Sequence, residues 1–481
     1  MPDQRARKKR RAPNNTRSRH ARHATPQRTN PLRIVIGCVA VIALVVGGIF
    51  AVRHFSGQSK PAQEQGGSSQ QSASSPSTQQ NNSQKVSSSE QKPNEQASES
   101  RQEDTTTEQP KVTDPTSVEV MMIGDVLMHD ELVDSGITAD GSYNFGFIYD
   151  HIKDYIDAAD LRILNQETVM GDPALGHHLY MGAAGPIMNT PTALADTEAE
   201  YGFNVILKAT NHTLDLHYEG LAHELDYWKA NYPQMPILGV NNPNASAGDD
   251  SQNYVDNVYV VEKNGLKIAI LNYTWATNEN VDWPGDASYI SYMSEDKIRS
   301  DVEKARAAGA EMIIACPHWG IEYDMQPSDE EATYSKLFCE LGVDVIFGAH
   351  PHILQPIELL QNDEGHKTVC FYSVGNYVAA SLMQPYSLVG GIARATLTRD
   401  NAGNYSVSAA SMVPTVICKT YGPNMTAFPI SEWTNELAAQ SNEPSTTPDY
   451  ANSLCADLYG KAFDQSKGVV TLDLEAEART V

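Results

Sequence analysis

The pattern of hydrophobic and polar positions changes twice along the chain. Residues 34–52 form an unbroken run of nineteen uncharged residues between Arg33 and Arg53. As a helix this run would reach about 28 Å, close to the roughly 30 Å of bilayer hydrocarbon. From 56 to about 115, Ser, Gln, Glu and Thr dominate, and aliphatic or aromatic side chains almost vanish. Such a segment cannot bury enough apolar surface to offset its ordering entropy, so 53–115 reads as a disordered Ser/Gln-rich stalk. Beyond 115, short apolar runs recur at 118–123, 161–164, 205–209, 237–240, 267–271, 312–315, 343–347 and 369–372. Their length suits buried strands. Between them, 191–201, 218–230, 295–308 and 329–341 carry the wider spacing of amphipathic helices. Two hairpins are expected, 258–262 with 267–272 around Asn264-Gly265, and 392–398 with 405–412 around Asn401-Ala402-Gly403. Strand–helix alternation with added hairpins predicts one α/β domain over 116–420, a layered sandwich on mixed sheets. Residues 421–481 read as a loosely packed extension with one strand near 469–474.

Charge orients this plan. Residues 1–33 hold eleven Lys or Arg and one acid, Asp3. Basic residues stay on the cytoplasmic side, so 1–33 is expected inside, 34–52 as an uncleaved transmembrane signal anchor, and the rest outside the cell membrane. The sequence Val35-Ile36-Gly37-Cys38 resembles a lipobox, but the apolar run continues past it, which argues against lipidation. The formal net charge is −25, and removing the tail's net ten positive charges leaves −35 for the remainder. An exterior this acidic argues against nucleic acid or anionic lipid as partners. Anionic substrates stay admissible, because a bound metal inverts the local field. Outside the span, Cys316, Cys339, Cys370, Cys418 and Cys455 are odd in number and irregularly spaced. They give no disulfide framework, and leave room for one bridge.

The candidate chemistry stands where apolar runs end. The run 118–123 leads into Gly124-Asp125, and 161–164 into Asn165-Gln166-Glu167. The run 205–209 leads into Thr210-Asn211-His212 and then Asp215. The run 312–315 leads through Cys316-Pro317 into His318-Trp319-Gly320, with Glu322 and Tyr323 after it. The run 343–347 leads to His350-Pro351-His352, and 369–372 to Ser373-Val374-Gly375-Asn376. Ligands bind at the C-terminal edge of open α/β sheets. One such ending is commonly a turn or helix cap. Six endings that supply carboxylates, amides and at least four histidines suit a divalent-metal site, with one ion or two.

The order Gly-Asp, Asn-x-Glu, Asn-His-x-x-Asp, His-Trp-Gly-x-Glu-Tyr, Gly-x-His-Pro-His and Tyr-Ser-x-Gly-Asn resembles the bacterial capsule-synthesis proteins of the CapA (poly-γ-glutamate) type. Those proteins are in turn similar to calcineurin-like metallophosphatases. The resemblance spans about 118–378 and implies a four-layer αββα metallophosphatase-like sandwich. It places Asp125, Glu167, Asn211, His318, His350 and His352 at metal positions, with Mn, Zn, Fe or Mg as the ion. It puts His212 where phosphatases carry a catalytic histidine. Asn165, Asp215, Trp319, Glu322, Tyr323 and Asn376 are the accompanying candidates for substrate contact. The chain departs from the pattern at several points. It has no Asp-x-His signature, and His129 lies four residues after Asp125. Asn165 and Glu167 stand near the place of a bridging Asp. His217 and Ala349 replace residues that are often Gly and His.

Three functions follow from this reading. The exterior domain assists synthesis or export of an anionic envelope polymer of the poly-γ-glutamate type, alongside membrane ligase or export subunits. Alternatively it is a metal-dependent hydrolase of phosphoesters or γ-glutamyl amides, with His212 as general acid. In the third reading it binds polymer without catalysis.

Overall fold

The computed structural model describes residues 115–175, 179–180, 186–246, 253–278, 288–380, 384–420 and 425–481. The expected cytoplasmic tail, membrane anchor and nearly all of the stalk lie outside these residues. Among the described residues no helix is long and apolar enough to cross a membrane.

Two mixed sheets carry the domain. In the first, Thr116–Leu127 pairs in parallel with Leu161–Gln166, and the parallel order continues through Val205–Leu207 to Ile237–Leu238. On its other side Thr116–Leu127 pairs antiparallel with Val389–Arg399, which pairs with Tyr405–Cys418. This second pair contains the expected hairpin. The other sheet has a parallel centre of Leu266–Thr274, Met312–His318, Val345–Phe347 and Lys367–Phe371. Tyr259–Lys263 and Ile357–Gln361 flank that centre antiparallel.

Alternate residues of each strand face opposite ways, and this sorts the side chains into layers. Val118, Val120, Met122, Ile163 and Val205 share one core with Ile268, Ile270, Met312, Ile314, Val345 and Phe347 of the other sheet. The intervening Met121, Ile123, Leu164 and Ile206 pack with Leu194, Leu221, Leu225 and Trp228, which come from the helices Ala193–Tyr201 and His217–Asn231. On the second sheet, Ala269, Ile313 and Ile346 pack with Ile298, Val302 and Phe338 of Glu295–Ala307 and Asp329–Glu340. The result is a mixed α/β sandwich with helices against both outer faces. These last two helices begin where local chemistry requires. The Ser294 hydroxyl accepts from Lys297 N, and Ser328 with Glu331 closes a capping box.

Two expectations are corrected. Residues 425–481 are not loosely packed: Trp433, Ala451, Cys455 and Val470 are buried in the core between the sheets. Thr426–Pro429 and Val469–Thr471 extend the first sheet, while Arg479–Thr480 joins the second. The strand expected near 469–474 is present as Val469–Thr471, while Thr426–Pro429 and Arg479–Thr480, four and two residues long, are too short for a period to be read from sequence. Cys316, Cys339, Cys370, Cys418 and Cys455 are buried free thiols, so no bridge forms among them.

Candidate metal centre

The C-terminal ends of parallel strands from both sheets meet at one buried site. At Gly124 the register of Thr116–Leu127 against Leu161–Gln166 slips, so that Ile123 faces Leu164 while Asp125 faces Asn165. A Cβ at Gly124 would lie 1.8 Å from the Gly375 carbonyl oxygen, so only glycine lets the two backbones approach. Asp125 N then donates to that carbonyl at 3.2 Å, and the carboxylate is presented at the strand end. The His350-Pro351-His352 turn follows Val345–Phe347. Asn376 Nδ2 fixes it by donating to His352 O at 3.1 Å.

All six expected ligands converge and all are buried. Asp125 Oδ2 accepts from His352 Nδ1 at 2.9 Å, and Asp125 Oδ1 accepts from Asn165 Nδ2 at 2.8 Å. His318 Nε2 donates to Asn211 Oδ1 at 2.8 Å. Glu167 stands between these pairs, with Oε1 3.2 Å from His318 Nε2 and Oε2 3.8 Å from His352 Nδ1. His350 closes the cluster, its ring centroid 4.9 Å from that of His318 and 5.8 Å from that of His352.

This cluster is not satisfied by its own members. Both Glu167 oxygens and His350 Nδ1 are buried without a hydrogen bond. Buried polar atoms of this kind are costly unless something else occupies them. Ligand atoms of Asp125, Glu167 and His318 lie within 4.8 Å of one another, as do those of Glu167, His350 and His352. The donor set of carboxylate oxygen, amide oxygen and imidazole nitrogen fits one or two divalent ions, and Glu167 is common to both groups. Strain gathers here too. His350, His352 and Tyr323 all adopt positive φ, at 98°, 60° and 64°. Such backbone persists only where the surroundings enforce it.

Electrostatics follow the packing. Burial alone would raise the Asp125 carboxyl, but the His352 hydrogen bond and charge outweigh it and hold Asp125 below the usual range. Burial alone would lower His352, yet Glu167 and Asp125 lift it to about 10. His350 has no such partner, so burial and the neighbouring imidazoles push it well below its ordinary value.

His212 is placed differently from Asn211. Asn211 turns to His318, whereas His212 Nδ1 donates to Asp215 Oδ2 at 2.6 Å. That bond assigns the proton to Nδ1 and leaves Nε2 as the other working nitrogen. Burial lowers the His212 imidazole, but the charge and hydrogen bond of Asp215 more than compensate, and its pKa is raised. Asp215 Oδ2 also accepts from Met188 N at 2.8 Å, which fixes the carboxylate.

The remaining candidates divide. Tyr323 is half-buried with its ring 5.9 Å from His352, and the exposed Glu322 contributes to raising His352. Asn165 and Asn376 hold Asp125 and the His352 carbonyl, as described. Trp319 does not join them. Its indole N–H donates to Tyr372 O at 2.9 Å, and the ring packs in the outer core beside Phe338. Three neighbours were not anticipated. Trp275 is substantially exposed with its ring 5.6 Å from His350, and Asn278 Oδ1 accepts from Asn211 Nδ2 at 3.1 Å. Both follow the strand Leu266–Thr274, whose end lacks an acid or histidine and so gave no signal. The third is His129, buried near enough for the charges of His212 and His352 to act on it. Its pKa is held down at about 3, chiefly by burial.

The PGA biosynthesis protein CapA of Bacillus subtilis (strain 168) is 30% identical over 189 residues, 37% of this chain and 43% of that protein. The capsule biosynthesis protein CapA of Bacillus anthracis is 26% identical over 273 residues, 53% of this chain and 58% of that protein. The chain thus spans about half the length of these curated relatives. Among solved structures, a 5'-nucleotidase precursor from Thermus thermophilus aligns at 15% identity and TM-score 0.40, over 71% of this chain and 59% of its own. The calcineurin-like phosphoesterase YfkN of Bacillus subtilis aligns at 13% identity and TM-score 0.35, over 70% and 99%. The family profile described as "Bacterial capsule synthesis protein PGA_cap" matches residues 119–381, more than half of the chain, and the protein belongs to that bacterial capsule-synthesis family.

Proposed function

We propose that this protein is a membrane-anchored, extracellular member of the capsule-synthesis family that assists synthesis or export of an anionic envelope polymer such as poly-γ-glutamate. In this reading residues 34–52 anchor it, the N-terminus is cytoplasmic, and a membrane ligase or export subunit is its partner. Family membership and the names of the Bacillus relatives support the polymer. The basic tail beside the apolar run supports the orientation. The observation that carries a metal-dependent role is Glu167, whose two unbonded oxygens face two different sets of ligands. Divalent ions held by Asp125, Glu167, Asn211, His318, His350 and His352 would supply positive charge to an anionic or carbonyl oxygen of the polymer.

A second reading, hydrolysis of phosphoesters or γ-glutamyl amides, is favoured by the His212–Asp215 pair. Asp215 holds the imidazole in one tautomer, and a raised pKa keeps a proton available to a leaving group. The test is His212→Asn in cells and on the purified protein. Metal content should stay at the wild-type level while capsule output falls. If the protein is a hydrolase, turnover of a γ-glutamyl or phosphoester substrate should drop roughly 10²–10⁴-fold. Wild-type capsule output from a stable His212→Asn variant would remove the role assigned to this residue.

A further inference from the structure

Behind the metal centre lies a second buried charge cluster that the chemistry above does not use. The Lys208 and Glu224 side chains are fully buried, with Nζ 3.0 Å from Oε2. Lys208 Nζ also donates to Thr168 O. Glu224 Oε2 accepts from Met170 N at 3.0 Å, and Glu224 Oε1 accepts from Gln166 Nε2 at 2.5 Å. Gln166 and Thr168 flank Glu167 on the chain, and Met170 follows three residues after it.

We propose that the Lys208–Glu224 pair is the positioning device for Glu167, clamping the chain on both sides of the carboxylate shared by the two ligand groups. The proposal rests on the metal-site reading for its ligand, a divalent cation. The pair touches none of the ligating atoms and acts through three bonds to 166–170. It also draws together segments distant in sequence. Lys208 lies three residues before Asn211, and Glu224 is on His217–Asn231, the helix that follows Asp215. The N–H groups of Lys208 and Ala209 donate to Asn272 Oδ1 at 3.1 and 2.8 Å. Asn272 Nδ2 in turn donates to Cys316 O at 2.8 Å, two residues before His318. The clamp thereby ties Glu167 to the strand ends that carry Asn211 and His318.

Stability does not account for this pair. A buried ion pair can commonly be replaced by apolar side chains of similar volume without loss of folding free energy. Apolar side chains cannot supply an acceptor for Met170 N, and they leave Gln166 Nε2 and Thr168 O only their bond to each other at 3.1 Å. Those bonds fix the rotation of the chain at Glu167, and ligand orientation of this kind is typically worth 10–100-fold in metal affinity.

The double variant Lys208→Met with Glu224→Leu, made in the full chain, separates positioning from folding. Two measurements are made on wild type and variant: Zn²⁺ affinity by calorimetry, and hydrogen exchange of the metal-free protein over 166–170. The expected result is a folded variant less destabilised than Lys208→Met alone, with Zn²⁺ binding weakened roughly 10–100-fold and faster exchange at 166–170 with Glu295–Ala307 unchanged. Wild-type Zn²⁺ affinity together with wild-type exchange in the variant would overturn the proposal. If the wild-type protein takes up no Zn²⁺, the metal-site reading fails on its own, and exchange over 166–170 alone decides whether the pair positions Glu167. Should the double variant not fold, Glu224→Gln, which keeps one acceptor, is measured the same way, and unchanged exchange there overturns the clamp.

Discussion

Gln166 and Glu167 are neighbours in the chain, yet they enter two buried polar clusters built differently. Gln166 joins Lys208 and Glu224, where the ammonium and both carboxylate oxygens have protein partners. Glu167 joins Asp125, His318, His350 and His352, where its own oxygens and His350 Nδ1 have no hydrogen bond and two histidines hold positive φ. In the first cluster every charged atom is paired, and of its three side chains only the Gln166 amide oxygen lacks a partner. The second is complete only with a ligand from outside. Both clusters are buried, so the unpaired charged and imidazole atoms and the backbone strain of the second are what set a candidate binding site apart from a supporting network.

The largest expected effect is at the shared carboxylate. Glu167→Ala should weaken divalent-ion binding by more than the roughly 10–100-fold typical of an outer-shell loss, read by elemental analysis after dialysis. Near-wild-type metal content would break the comparison, since Glu167 would then be an ordinary buried acid. Next comes the paired cluster: Lys208→Met alone strands the Glu224 charge and should cost about 3–5 kcal/mol in denaturant unfolding. A loss below about 1 kcal/mol would mean that the pair is not paired as described.

Glu331 provides an intermediate case. Its Oε2 accepts from Ser328 N at 2.6 Å in the capping box, while its Oε1 is buried without a partner. Burial raises its pKa from 4.5 to about 7, against the opposing Ser328 hydrogen bonds. Because the folded value lies above the unfolded one, its contribution to stability is complete below pH 4.5 and is lost as pH rises through about 7. Glu331→Gln keeps an acceptor for the cap and should flatten that part of the stability–pH curve, removing a change on the order of 3 kcal/mol. An unchanged curve would show that Glu331 stays ionised when folded.

The smallest effect is at His217, which has φ 58° at the start of His217–Asn231, outside both clusters. His217→Gly should relieve strain of order 1 kcal/mol and raise the melting temperature with metal content unchanged. A parallel loss of metal would place His217 in the site after all.

The four main helices were legible because each repeats its apolar period over nine to fifteen residues, and the eight central strands because each lies in a short apolar run bounded by polar residues, with serine caps or Asn-Gly turns marking some ends. Much of the site was legible for a related reason: a parallel strand delivers its next residues to the sheet's C-terminal edge, so Asp125, Glu167, Asn211, His318 and His350 could be read from position. Trp275 and Asn278 follow the same rule and were missed because their types carry no metal signal. Lys208 was hidden for the opposite reason. A lysine at the end of a strand reads as a solvated side chain, and its burial depends on Glu224 arriving from the helix that follows. Trp319 beside His318 read as a cleft residue, but alternation turns it into the outer core.

The sequence alone determined which segments are strands and helices, which side chains stand at strand ends, and that oxygen and imidazole donors are numerous enough for a divalent ion. These follow from periodicity and residue chemistry, which are local. The tertiary structure decided that Glu167 faces both ligand pairs, that the C-terminal segment completes both sheets, and that Lys208 is buried. Each of these depends on how two sheets stack and which distant segments their ends bring together. Contacts of that kind join residues 40 to more than 200 positions apart, a separation over which no local pattern carries information.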